Sequence, residues 1–338
     1  MLNISYDFLY NQIMKILKLL CLLFVIFSCS KKQNHSYTFY YWKTRLALNK
    51  QEKEALDKAS VPFLYTRFFD IDKSGGKFLP VGVITKDKSF DPQQKIVPAV
   101  FITNRTFLYI QKEEITFLAR NINSLVQKKI SEYSLKAAPE IQIDCDWTAG
   151  TRDDYFTFLK ELKKISGKDI SCTLRLHQVK DKARTGVPPV AKVYLMCYST
   201  SSPLENSDQN SILDVSTLKN YLSNINDYPI KEIDVALPIY SWGIVTNYLG
   251  KHKLINALSE RDLKNSDFRQ IAPGKYELLK DGFYFGSYMN KGFTIKIESI
   301  SGKQLAQVVR FLDKKILNYS IIYYQLDRKF IMDKNFSL

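Results

Sequence analysis

Several kinds of site are excluded by scarcity. The 338-residue chain has five cysteines, Cys21, Cys29, Cys145, Cys172 and Cys197, and no two stand in the CxxC spacing of a zinc or redox centre. Only three histidines occur, His35, His177 and His252. A metal set would have to combine His177 with Asp144 and Asp146; a structural histidine or a general base near a cleft are the other readings of His177. No glycine loop of the kind that cradles phosphate and no Ser-His-Asp arrangement can be assembled from local motifs, so neither cofactor nor metal is called for. The net charge is +15, yet no Lys/Arg run exceeds two residues and no nucleic-acid motif accompanies it, which argues against nucleic acid as the partner. Internal repeats and low-complexity segments are lacking as well. With 45% hydrophobic and 25% charged residues the composition is that of a folded protein, long enough for one large domain or two ordinary ones.

What is present begins with a basic and apolar run, residues 14 to 29, ending Ile26-Phe27-Ser28-Cys29. It reads as a secretion signal too short to span a membrane, with Met14 as a possible start. Its end resembles the lipobox of bacterial lipoproteins, in which the cysteine is lipidated and becomes the mature N-terminus; a plain cleaved signal or an anchor helix is the alternative. The resemblance implies a protein anchored to a bacterial membrane in the cell envelope through lipid on Cys29; Ser30 to Ser36 is polar and reads as a tether, and a monomer is expected.

From Tyr37 onward strand-like and helix-like segments alternate. Strands are predicted at 37–43, 62–70, 97–103, 140–147, 170–178, 192–198, 232–240 and 320–326, and helices at 49–59, 112–130, 152–166, 216–226 and 302–317. Eight strands separated by helices predict an α/β fold, a (β/α)8 TIM barrel over residues 37–338, with a doubly wound open sheet as the alternative. Two stretches break the rhythm. Gly75-Gly76 to Pro92 is a long insertion after the second strand, and a small β-rich insertion falls at about 250–300, before the last helix and strand.

The most informative stretch is Glu140-Ile141-Gln142-Ile143-Asp144-Cys145-Asp146-Trp147-Thr148. Side chains alternate along a strand, so Asp144, Asp146 and Thr148 share one face and Ile143, Cys145 and Trp147 the other. Thr151-Arg152-Asp153-Asp154 then reads as a capped helix start. Carboxylates at the end of a strand that feeds a helix sit where α/β folds build their sites, and two of them side by side raise each other's pKa. Other strand ends are polar and aromatic too. They supply Arg67 and Asp70, Arg175 and His177, Tyr198, Tyr240 and Trp242, and Gln325 with Asp327. Acids mixed with Tyr and Trp suit a sugar, whose hydroxyls need hydrogen-bond partners and whose ring face stacks on aromatics. With 21 Tyr and 21 Phe in the chain, core packing accounts for most of the aromatics. The candidates kept as catalytic are Asp144, Asp146 and Tyr198, and as ligand-contacting Arg67, Asp70, Trp147, Arg175, His177, Tyr240, Trp242 and Gln325. The loop Lys180 to Pro189, with Lys180, Lys182 and Arg184, reads as solvated.

Ile143-Asp144-Cys145-Asp146-Trp147-Thr148 resembles the strand-four motif of family-18 glycoside hydrolases, the chitinase-like barrels, in which alternating acids lead to a Trp and a catalytic Glu. Met196-Cys197-Tyr198 is similar to that family's strand-six Tyr, and Leu237-Pro238-Ile239-Tyr240 to its strand-seven segment. The order and spacing agree across roughly residues 137 to 245. The resemblance implies that Asp146 supports a substrate acetamido group, with Asp144 as its partner and Tyr198 as a hydrogen-bond donor. It also puts Thr148 where the family has its proton donor, and a threonine hydroxyl is no general acid near neutral pH. Three readings follow: a glycan binder without the acid, a glycosidase that re-sites the acid at Asp144 or Asp146, and a structural or interaction lipoprotein whose strand ends form ion pairs with Arg67 and Arg175.

Overall fold

The structure, a computed structural model, describes residues 14, 35–205 and 208–331. The signal from residue 15, Cys29 and all of the tether but His35 and Ser36 lie outside the described residues. Eight parallel strands form the barrel: β1 (Tyr37–Tyr41), β2 (Phe63–Ser74), β3 (Lys95–Ile102), β4 (Glu140–Asp144), β5 (Asp169–Arg175), β6 (Lys192–Met196), β7 (Glu232–Pro238) and β8 (Ile321–Tyr324). Closure comes from β1, which pairs with β8 (Tyr37 opposite Ile321) and with β2 (Tyr40 opposite Tyr65). The expected (β/α)8 barrel is therefore the observed one. Its strands are buried along most of their length, as parallel strands covered by helices must be.

The longer covering helices are α1 (Lys50–Asp57), α2 (Lys112–Glu132), α3 (Arg152–Ser166), α4 (Val215–Tyr221) and α5 (Gly302–Leu312). α3 buries Tyr155, Phe158, Leu159 and Leu162, the three-and-four spacing that sets an apolar stripe against the sheet. It stops at Gly167, whose N–H donates to the Lys163 carbonyl, 3.0 Å. Its start departs from the expected cap: the Thr151 hydroxyl does not cap the helix but donates to Asn104 Oδ1, 2.5 Å.

Three other boundaries also differ from expectation. β4 ends at Asp144, so Asp146, Trp147 and Thr148 belong to the following loop. β5 ends at Arg175, and His177 sits on a short helix, Leu176–Lys180, not on a strand face shared with Arg175. The insertion begins at Trp242 rather than near 250: Trp242–Thr246 pairs with His252–Asn256 and Thr294–Glu298 in a five-stranded antiparallel sheet, with Phe268–Ala272 and Lys275–Leu278 completing it. Between β2 and β3 there is no helix. β2 turns at Gly75-Gly76, both at positive φ (56° and 75°), and pairs back with Lys77–Val81, the backbone that a two-glycine hairpin turn permits.

The barrel interior carries polar side chains along β4. Glu140, Gln142 and Asp144 alternate on one face while Ile141 and Ile143 occupy the other, and all but Glu140 are buried. Tyr194 donates to Glu140 (2.8 Å), which leaves its oxygen to accept from Tyr65 (2.8 Å), and Ser171 also donates to Glu140 (2.5 Å). These bonds satisfy Glu140, at the amino end of the row. Asp144 stands at the open end.

Candidate functional site

A cavity of about 500 Å³ occupies the barrel mouth, and every strand supplies a lining residue at or near its carboxyl end: Trp42, Asp70, Phe101, Asp144, Arg175, Met196 with Tyr198, Tyr240 and Tyr324. Gln325, Asp327 and Phe330 follow β8 into the lining, and the insertion adds Trp242, Asn256 and Ala257.

Asp144 is 8% exposed and accepts a hydrogen bond from Thr173 Oγ1, 2.6 Å. Burial, and then the neighbouring Asp146 carboxylate, push its pKa up to about 6, against the opposing pull of Arg175 and Thr173. The other carboxylates of the mouth are engaged by cations. Asp146 takes Arg175 in a two-point grip, Nη2 to Oδ2 at 2.8 Å and Nε to Oδ1. Arg67 holds both oxygens of Asp70 (2.7 and 2.6 Å) and donates to the Gly82 carbonyl, 3.1 Å. Gly82 lies at φ 56°, and a Cβ there would stand 2.5 Å from Arg67 Nη2, so glycine is required by conformation and by space. Lys43 bridges Asp327 (3.0 Å) and the buried Glu52 (2.6 Å), the residue that also closes the capping box of α1.

A continuous row of aromatic rings lines the same cavity. Ring centroids lie 5.9 Å apart for Trp42 and Tyr324, 5.4 Å for Tyr324 stacked on Tyr198, 6.1 Å for Tyr198 and Tyr240, and 5.2 Å for Tyr240 and Trp242. The insertion fixes the end of this row: Trp242 Nε1 donates to Glu298 Oε2 at 2.8 Å, and Glu298, 2% exposed, also accepts from the backbone (3.1 Å) and hydroxyl of Ser211. Two non-glycine lining residues, Ser199 and Ala257, have positive φ, 56° and 58°. Strain of this kind persists where the surroundings over-determine the backbone, as they do at binding sites.

Of the residues singled out in the sequence, Asp70, Asp144, Arg175, Tyr198, Tyr240, Trp242 and Gln325 come together in one cavity. Arg67 and Asp146 stand one step back, each fixing a lining residue through its ion pair. Two expected contacts fail. Trp147 faces the helix layer, on the side that Ile143 and Cys145 also take when Asp144 points inward; it is fully buried, stacks on Tyr155 (5.1 Å) and donates to the Thr185 carbonyl (2.9 Å). His177 is exposed on its helix and does not line the cavity. Thr148 is exposed in the loop after β4, its hydroxyl 3.4 Å from that of Thr151. Sequence reasoning did not single out Trp42 and Tyr324, although both sit at strand ends where the same rule applied. Glu298 had no local signal, since only the folded insertion carries it to Trp242.

No protein-family profile matches the chain, and no curated protein does. Among solved structures it is similar to the spore cortex-lytic enzyme SleL of Bacillus cereus, at 15% identity over 88% of this chain and 72% of that one, with a TM-score of 0.52. It is also similar to the C-terminal domain of a candidate chitinase from Desulfitobacterium hafniense DCB-2 (10% identity, 88% and 95% covered, TM-score 0.54). The chitinase Chi1 of the Yersinia entomophaga toxin complex gives 10% identity, 89% and 84% covered, and a TM-score of 0.52. At such identities the likeness establishes a shared fold, the (β/α)8 barrel.

Proposed function

We propose that the barrel mouth is a glycan-binding cleft that holds its ligand without cleaving it, on a protein exported to the cell envelope and anchored through lipid at Cys29. The observation that carries this reading is the state of the carboxylates. Hydrolysis by two carboxyl groups needs one to give a proton while the other attacks or activates water. Among the described residues at the mouth, Asp70, Asp146 and Asp327 are each gripped by a cation, and only Asp144 is not in a direct ion pair. The aromatic residues Trp42, Tyr198, Tyr240, Trp242 and Tyr324 line the same cavity and supply apolar surface for a pyranose, with Gln325, Arg175 and Asp144 as hydrogen-bond partners for its hydroxyls. The folds of the cortex-lytic and chitinase structures support a sugar as the ligand class.

Titration calorimetry with a series of N-acetylglucosamine oligosaccharides tests it. Saturable binding is expected for the wild type, with affinity down about tenfold or more in Trp242→Ala, the loss of one stacking aromatic, and no reducing ends released on prolonged incubation. A second reading is favoured by the position of Asp144 in pH, since a carboxyl group held near 6 can serve as a proton donor near neutrality. Release of reducing ends by the wild type but not by Asp144→Asn would select that reading, with a rate that falls as pH rises through about 6. Absence of both binding and release would leave a structural or interaction role.

A further inference from the structure

The chain enters the barrel at its floor, the pole where the parallel strands begin and the one opposite the mouth. His35 lies against the loop that leads into β8. Its ring stacks on Tyr319 (centroids 4.1 Å), its Nδ1 stands 3.1 Å from the Tyr319 carbonyl, and its Nε2 stands 2.8 Å from Asp313 Oδ1. The Ser36 carbonyl then accepts from the Ile321 N–H (2.8 Å), and the Tyr37 N–H donates to Ser60 Oγ (2.9 Å) ahead of β2. These contacts pin the start of the fold to the amino ends of β1, β2 and β8.

Cys29 is six residues before His35. A fully extended chain covers at most about 3.6 Å per residue, so whatever path it takes it reaches no farther than about 22 Å. The mouth lies at the other ends of the same strands. From Tyr37 to the cavity-lining Trp42 the strand direction alone takes up about 17 Å, at ~3.3 Å for each of five steps. The loops of the mouth and the five-stranded insertion stand beyond that. Lipid on Cys29 therefore cannot hold the mouth against the bilayer, because strands, loops and insertion would all have to fit between the headgroups and His35 within that reach. The surface beside His35 suits the opposite arrangement. Leu317, two residues from Tyr319, is 87% exposed, and Lys314, next to Asp313, is exposed in the same loop. A single exposed leucine is ordinary on a protein surface; its place beside the segment that leads back to Cys29 gives it a role, since an apolar side chain next to lysine is what enters the headgroup region.

We propose that the barrel floor around His35, Lys314 and Leu317 is a membrane-docking face that rests on lipid headgroups. The cleft then opens away from the bilayer and takes glycan strands beyond it, not sugars carried on lipids of the same leaflet. The proposal rests on the anchoring and glycan-binding readings and adds the orientation that neither supplies.

The test uses the full lipidated protein in vesicles of phosphatidylcholine and phosphatidylglycerol that contain a headgroup-nitroxide lipid as quencher. Cys145, Cys172 and Cys197 are buried, so a thiol-reactive dye goes to an introduced cysteine. Lys314→Cys places it at the floor and Thr148→Cys in the exposed loop after β4, at the mouth. Loss of emission is expected from the floor dye and not from the mouth dye, and Leu317→Ser in the Lys314→Cys protein should reduce that loss. Quenching at Thr148→Cys equal to or greater than that at Lys314→Cys overturns the docking face while the anchor stands. Absence of lipid from Cys29 in the same preparation overturns both. An N-acetylglucosamine hexasaccharide in solution should bind the vesicle-held protein as tightly as the detergent-held one. The same hexasaccharide on a short lipid stem in that bilayer should not bind; its capture would overturn the outward cleft.

Discussion

Asp144 concentrates the chemistry of the mouth because it is the inward carboxyl group that burial and Asp146 act on together. Its pKa is about 6 when folded and near 4 in an unfolded chain. Between those values the folded protein holds a proton that the unfolded chain has lost, so stability falls as pH climbs from about 4 to about 6 and stays at the lower level above. The contribution is roughly 2–3 kcal/mol. Asp144→Asn keeps an acceptor for Thr173 and removes the titration, so its stability relative to wild type should rise by an amount of that order between pH 4 and pH 8. Urea unfolding at the two pH values checks it, and parallel behaviour of the two proteins would refute it. Gly82 offers a second test. Alanine there must adopt positive φ and push Arg67 off Asp70, so Gly82→Ala should cost about 1–3 kcal/mol in the same assay and weaken ligand binding. Both sites rest on residues named from sequence, Arg67, Asp70 and Asp144, but glycine's part in them was visible only once Arg67 was seen against it.

At the scale of elements, β4 and the insertion do different work. β4 was legible because period-two alternation in Glu140 to Asp144 is local; its end was not, because nothing in Cys145-Asp146-Trp147 marks where pairing to β5 stops. Trp147, on the outward side with Ile143, packs on Tyr155, and Asp146 holds Arg175, so one expected contact became core and another became support. The insertion is legible from its glycines and hairpin pattern, but its first strand is not, since only Ser241 separates Trp242 from the apolar Leu237-Pro238-Ile239-Tyr240 of the barrel strand's end. Its last strand supplies Glu298, the acceptor for the Trp242 indole. Glu298→Ala strands that N–H and the Ser211 donors in a buried site, an expected loss of about 1–3 kcal/mol. Glu298→Gln retains an acceptor and should lose less. Calorimetric affinity should follow the same order if the insertion serves to hold the row of aromatic rings.

For the whole molecule, the proposed export and anchoring make a prediction independent of the cleft. Cells supplied with a labelled fatty acid should incorporate it into the wild type and not into Cys29→Ala, and the variant should leave the membrane fraction; label retained in the variant would refute the anchor. The barrel itself was readable from rhythm alone. Eight apolar runs with helical patterns between most of them leave few ways to bury both faces of each strand, and β1 closing on β2 and β8 is the one realised. Sequence by itself thus determined the alternation of eight barrel strands with helices and the inward row that ends at Asp144, because these follow from periods of two and 3.6 residues within single segments. Tertiary structure alone decided which of the strand-end residues meet, and that Asp70, Asp146 and Asp327 are tied to Arg67, Arg175 and Lys43 while Asp144 is left buried and protonatable. Ion pairs and burial depend on distances between segments far apart in the chain, and no local pattern carries that information.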